Sequence, residues 1–176
     1  MSVITRNTRE TSIRVELTRS GTGRIETTVP FLDHMMTTLA RYSGLGLTIT
    51  ATGDLRHHII EDVAIAVGLA VREEFAEPIA RFGSAVIPMD EAVVECALDV
   101  GGRPFYRGPL PSSLYDHWMR SFADHADATL HLIVRRGEDR HHIVEAGFKA
   151  LGRALAQALL PVAETASTKG AVRVGK

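Results

Sequence analysis

Two stretches of the chain place apolar residues at helical spacing, in the same order. Ile60, Ala64, Val67, Val71 and Phe75 fall four, three, four and four residues apart, and Val144, Phe148, Leu151, Leu155 and Leu159 repeat those intervals. Successive helical residues turn by about 100°, so each set forms one stripe, and the pattern predicts core-facing helices over 57–76 and 141–160. Elsewhere Val, Ile and Thr recur in partial alternation with polar residues. Residues 2–9 and 11–19 read as strands ahead of the turn SGTG (20–23), as do RIETTV (24–29) and LGLTITA (45–51). Pro30 precedes a helical stretch, FLDHMMTTLARYSG, that Gly44 ends. The second half gives strands near 85–88, 91–99 and 103–107, a helix near 112–126 and a strand at 128–135. Each half reads β-β-β-α-β-α. This predicts an α+β fold of two half-modules, 1–84 and 85–176, with helices packed on one face of each sheet.

The parallel extends to the letters. Shifting the chain by 84 lays 53–75 on 137–159 with nine identities in 23 positions, where average composition gives roughly one or two. A second echo sets LDHMMTTLA (32–40) against YDHWMRSFA (115–123). Each half thus carries Asp-His-x-Met and then His-His-x-x-Glu. Two copies are too few for a solenoid, so the repeat reads as a duplicated module whose halves pack together.

The repeated letters RHHIIE (56–61) and RHHIVE (140–145) hold four of the eight histidines. On a helix, His57 and Glu61 are neighbours on one face, while His58 points elsewhere. The same holds for His141, Glu145 and His142. Adding His34 and His117 gives three imidazoles and one carboxylate for each of two sites. Ligands of nitrogen and oxygen without thiolate suit manganese, zinc, iron or nickel, and six-coordinate manganese would leave two positions open. A lone histidine beside an apolar stripe is more often structural; two copies at a fixed offset favour metal binding. HExxH is absent, and the inverted HxxEH fails because Asp62 follows Glu61, so a metallopeptidase is not expected.

Composition narrows the classes. A chain of 176 residues with 45% hydrophobic and 23% charged positions is ordinary for a globular protein, and its net charge of −1 gives no bulk drive toward nucleic acid or membrane. The lone Cys96 excludes an intramolecular disulfide and fits a reducing compartment. The N-terminus lacks the apolar core of a signal peptide, and no apolar run approaches the roughly 20 residues of a membrane span. A cytoplasmic location is expected, with neither nucleic acid nor membrane as a partner. Arg81 in ARFG, Arg103 in GGRP, Lys169 in STKG and Glu10 in RNTRET read most simply as solvated turn or edge charges. The tail TASTKGAVR has a composition suited to cradling phosphate, or to a frayed terminus.

With RNTRET (6–11), FLDHMM (31–36), HHIIED (57–62), RFG (81–83), DVGGRP (99–104), HHIVEA (141–146) and STKG (167–170) in this order, the chain resembles the imidazoleglycerol-phosphate dehydratases nearly end to end. The resemblance implies a duplicated fold like the second domain of ribosomal protein S5. It also implies two Mn2+ ions per active site and a 24-subunit shell built from trimers, with metal ligands drawn from neighbouring subunits. The implied activity is dehydration of imidazoleglycerol phosphate to imidazole acetol phosphate in histidine biosynthesis. Carried over residue by residue, the metal ligands would be His34, His57, His58, Glu61, His117, His141, His142 and Glu145. Arg81, Arg103, Ser167 and Lys169 would hold the substrate phosphate. Glu10 would touch the substrate as acid or base, with Glu61 and Glu145 also in the catalytic set.

The chain departs from the family pattern GDxxIDxHHxxED. Its ATGDLRHHIIED is about three residues shorter and lacks the Asp before the histidine pair, and Thr38 and Ala166 stand where Gln and Pro are usual. Two rival readings follow. One is a divergent paralogue dehydrating another phosphorylated polyol; the other is a non-catalytic, metal-assembled shell, against which the retained Glu10, Arg81, Arg103 and Lys169 argue.

Overall fold

The first hairpin shows which way its sheet faces. In the computed structural model, which describes residues 1–75 and 78–164, β1 (Ser2–Asn7) pairs antiparallel with β2 (Thr11–Thr18). Ile13, Val15 and Leu17 of β2 are buried while Ser12 and Arg14 are exposed, the period-two pattern of a half-buried strand. The chain continues through β3 (Ile25–Glu26), α1 (Pro30–Ser43), β4 (Gly46–Gly53) and α2 (Arg56–Glu74). The second half runs β5 (Phe82–Met89), β6 (Ala92–Val100), β7 (Phe105–Arg107), α3 (Ser113–His125), β8 (Ala128–Arg136) and α4 (Arg140–Ala158). Strand orders are β1-β2-β4-β3 and β5-β6-β8-β7. In each sheet the last strand runs parallel to its neighbour and the others antiparallel. The α+β class and the repeated element order are those the sequence predicts.

Element lengths differ where side chains intervene. The expected strand at 24–29 shrinks to Ile25–Glu26 because Thr27 turns to Asp33, donating its N–H (2.7 Å) and its hydroxyl (2.6 Å) to Oδ1. Thr28 then takes φ of 61°, and Pro30 enters α1 as its first residue, where its missing N–H costs nothing. The strand expected near 85–88 extends over 82–89, so the second sheet begins just inside the stretch assigned to the first module. β7 starts at Phe105, after Pro104, which has no N–H to give a ladder.

The helices cross between halves. α2 packs on β1 and β2 of its own sheet and also on α3; α4 packs on β5 and β6 and also on α1. Helices therefore form the middle of the molecule, with a sheet on either side. This explains a second buried stripe on each long helix, Ile59, Val63, Ala66 and Ala70 on α2 and Ile143, Gly147, Ala150 and Ala154 on α4, beside the one the spacing predicts. Gly68 and Gly152, which match in the repeat, sit at these crossings. A Cβ on Gly68 would stand 2.8 Å from the carbonyl oxygen of Phe122, and one on Gly152 2.8 Å from Cβ of Tyr42 and 3.1 Å from the carbonyl oxygen of Leu39.

The outer faces of the two sheets differ. Ser12, Arg14, Thr50 and Thr52 make the first mostly polar, whereas the second mixes polar groups, among them the Glu95–Arg135 ion pair and His131, with Phe82, Val86, Phe105 and Ile133, at 56, 58, 47 and 46% exposed. Among the described residues no helix is long and apolar enough to cross a membrane.

The crossings yield a test. Alanine favours a helix over glycine by about 1 kcal/mol, but overpacking a tight contact costs about 1–3 kcal/mol. Gly68→Ala and Gly152→Ala should each lower the melting temperature, by about 2–4 °C per kcal/mol of net loss. A melting temperature unchanged or raised in both variants would show that the helices can separate at no cost.

Candidate metal centre and active site

Each Asp-His pair is set by its aspartate. Asp33 accepts from Thr27 in the segment entering α1, and Asp116, its counterpart, accepts from the hydroxyl of Tyr106 (2.6 Å) and the N–H of Leu110 (2.8 Å). These bonds tie the first turns of α1 and α3 to the loops before them and so fix where the next residues, His34 and His117, stand.

Because α1 lies on α4, His34 meets the His-His-x-x-Glu of the other half. Nε2 of His34 and Nε2 of His141 each lie 3.0 Å from Oε2 of Glu145. Their potential ligand atoms fall within 4.8 Å of one another, the one such trio among the described residues. Phe31 sets its ring edge-on to both imidazoles. The other oxygen of Glu145 lies 3.0 Å from Nζ of Lys149. Burial pushes the Glu145 carboxyl up, but the Lys149 ammonium and the two imidazoles outweigh it and hold the group down at about 2. Lys149 was not singled out from the sequence, although its place four residues after Glu145 puts it on the same helical face.

The matching site is looser. α2 lies on α3, and Nε2 of His117 stands 3.3 Å from Oε1 of Glu61, both side chains more than a third exposed. His57 sets its ring against His58, centroids 4.1 Å apart. Position 65, the counterpart of Lys149, is isoleucine.

His58 and His142 turn away from these pairs. Nδ1 of His58 bonds Oδ1 of Asp54 at 2.7 Å and lies 3.6 Å from Glu10; Nδ1 of His142 bonds Oε2 of Glu91 at 2.8 Å, and its Nε2 lies 3.6 Å from Asp90. The bond to Asp54 raises His58 above the ordinary histidine range and lowers Asp54; the bond to Glu91 raises His142. Glu91 falls to about 2, held by His142 and by backbone N–H groups.

Glu10 sits on the exposed β1–β2 turn, its N–H bonded to the Thr8 hydroxyl. Asp62 holds that turn to α2, accepting from Nε of Arg6 at 2.9 Å and from the Thr11 hydroxyl. Asp62 is another residue the sequence reading passed over, although it is one of the positions where the two copies differ, Ala146 standing in its place in α4.

The candidate phosphate-binding residues lie elsewhere. Arg81 forms a two-pronged pair with Asp99, at 3.0 and 2.9 Å, and its backbone N–H donates to the carbonyl of Ala158. Arg103 is exposed on the loop after β6, next to Gly102, whose built Cβ would stand 2.9 Å from Oδ2 of Asp99 and 3.6 Å from a guanidinium nitrogen of Arg81. His141 opens α4 and Ala158 ends it, about 25 Å along the axis at 1.5 Å per residue. One chain therefore keeps the His34–His141–Glu145 trio and Arg81 at opposite ends of α4. Ser167 and Lys169 lie outside the described residues.

Known proteins bear on this arrangement. Residues 27–155 match the family described as imidazoleglycerol-phosphate dehydratase. A protein of that name from Pyrobaculum arsenaticum is 47% identical over 94% of this chain and 97% of its own length. Two solved structures share the fold. That of the Pyrococcus furiosus dehydratase in complex with (S)-C348 has a TM-score of 0.89 and 40% identity, covering 96% of this chain and 100% of that one. That of the Staphylococcus aureus enzyme has a TM-score of 0.81 and 31% identity, covering 92% and 100%. Likeness of this extent, in sequence and in fold, decides the matter: the chain belongs to the imidazoleglycerol-phosphate dehydratase family.

Proposed function

We propose that this chain, a hydro-lyase that dehydrates imidazoleglycerol phosphate in histidine biosynthesis, works with a divalent metal, manganese first, in sites completed by other copies of itself. The observation that carries the metal reading is the trio His34, His141 and Glu145, drawn from both halves onto one carboxylate oxygen. Two imidazoles and a carboxylate that its surroundings keep ionised are a donor set for a borderline to hard cation, and the lone thiol, Cys96, is buried elsewhere. His34, His141 and Glu145 would hold one ion; Glu61, His117 and His57 would hold the other, with His58 and His142 reaching outward. When bound, the metal supplies Lewis acidity toward a substrate imidazole nitrogen and a template for orienting the substrate.

The chain's own groups divide the remaining work. Lys149 keeps Glu145 ionised and fixed. Asp62 steadies the turn carrying Glu10, whose exposed carboxylate would move the proton between the substrate carbon and the departing hydroxyl. Arg81, its plane fixed by Asp99, and Arg103 would take the phosphate, with Ser167 and Lys169 as further candidates.

The substrate is shorter than the separation within one chain. A six-carbon phosphate spans about 10 Å at ordinary bond lengths, against about 25 Å between the ends of α4. This supports sites shared between copies in a homo-oligomer, for which the 24-subunit shell of trimers is the proposed form. The exposed Phe82, Val86, Phe105 and Ile133 on the outer face of the second sheet are side chains such assembly would cover. The buried thiol of Cys96 fits a cytoplasmic location.

Three outcomes are expected. Metal-stripped protein should lose turnover of imidazoleglycerol phosphate and regain it with Mn2+; full turnover in a protein with no bound metal would end the metal reading. Glu10→Gln should lower kcat by about 10²–10⁴-fold while particle size by light scattering stays that of the parent, and near-parental kcat would remove Glu10 from proton transfer. Finally, Arg81→Ser and His141→Ala, each inactive alone, should regain turnover when co-assembled, since some sites then take an intact Arg81 from one copy and an intact His141 from another. Co-assembled but inactive mixtures would place each site within one chain.

A further inference from the structure

His58 and His142, the second histidine of each pair, meet no glutamate of their own motif, yet both are held. In each case the bonded atom is Nδ1 and the partner is a carboxylate from outside the repeat: Asp54 at 2.7 Å and Glu91 at 2.8 Å. The carboxylates do not correspond in the duplication. Asp54 lies four residues before His58, in the shortened loop that leads into α2, whereas Glu91 comes from the β5–β6 turn, 51 residues from His142. The first-half hairpin turn carries Glu10, but Glu10 stands 3.6 Å from the same Nδ1, beyond a hydrogen bond. Different residues thus make the same contact in the two halves.

Both carboxylates are themselves held by backbone. Oδ1 of Asp54 accepts the N–H of Leu55 at 2.6 Å, and the N–H of Asp54 donates to the carbonyl of Glu10 at 3.0 Å. Oε1 of Glu91 accepts from the N–H groups of Glu138 (3.2 Å) and Asp139 (2.9 Å), leaving Oε2 for His142. A carboxylate on Nδ1 makes that nitrogen the donor in the neutral imidazole, fixes the ring plane and leaves the lone pair on Nε2. Among the described residues Nε2 of His58 has no hydrogen-bond partner, and Nε2 of His142 has Asp90 at 3.6 Å.

We propose that Asp54 and Glu91 are positioning residues that hold His58 and His142 with Nε2 directed outward as ligand atoms, the shortened loop of the first half supplying Asp54 where the second half uses its hairpin turn. The proposal rests on the metal reading above and assigns the tautomer and aim of two of its ligands.

The test is Mn2+ titration of the metal-free full chain, read by calorimetry and by the spin resonance of unbound Mn2+. Asp54→Ala and Glu91→Ala should each weaken Mn2+ binding by about 10–100-fold, with circular dichroism and melting of the metal-free protein unchanged. Asp54→Asn and Glu91→Gln keep an acceptor but lose the charge, and should fall between parent and alanine variant. If an alanine variant unfolds, its amide counterpart decides: weaker binding than the parent supports the role, equal binding removes it. Parental affinity in folded alanine variants would overturn the proposal while leaving the metal reading intact. An unaltered chain that binds no Mn2+ would overturn the metal reading and the positioning roles with it.

Discussion

The structure turns on the packing of each Asp-His helix against the His-His-x-x-Glu helix of the other half. α1 on α4 brings His34 to Glu145, and α2 on α3 brings His117 to Glu61. Neither pair forms inside its own half-module, because α1 packs on α4 rather than on α2, and α3 on α2 rather than on α4. The same contacts close the core, so residues of the candidate metal sites are positioned by the packing that folds the protein. Gly68 and Gly152 let the helix backbones approach at those crossings.

Duplication gives two similar groups of side chains, and substitution gives them different surroundings. In the second copy Lys149 pins Glu145 and keeps it ionised; in the first, position 65 is apolar and Glu61 stays partly exposed. In the first copy Asp62 ties the Glu10 turn to α2 through Arg6 and Thr11; in the second, that position is Ala146. One half holds its glutamate with a lysine on the same helix; the other ties down the turn that carries Glu10.

Much of this was legible in the chain. Apolar stripes and Val/Thr alternation carry local geometry directly, so the order of twelve elements followed from them. The strand at 24–29 was overestimated because Asp33, six residues on, takes up Thr27, and no periodicity records such a bond. The repeat announced the candidate ligands and two halves that pack together. It did not show that the predicted stripe of each long helix lies beside the crossing with the other half, while a second stripe, which small residues such as Ala66 and Gly147 hide from a hydrophobicity reading, lies on the helix's own sheet. Glu91 could not be found from spacing, since its contact spans 51 residues. Lys149 and Asp54 could have been, each lying four residues from the group it meets.

The most direct test is anomalous scattering at the manganese edge from crystals of the Mn2+-loaded assembly. The account predicts one peak bonded to His34, His141 and Glu145 and another to Glu61, His117 and His57, with His58 and His142 of neighbouring copies completing the shells and an Arg81 from a further copy facing the cavity between them. Peaks ligated wholly within one chain, or lying away from these histidines, would contradict it.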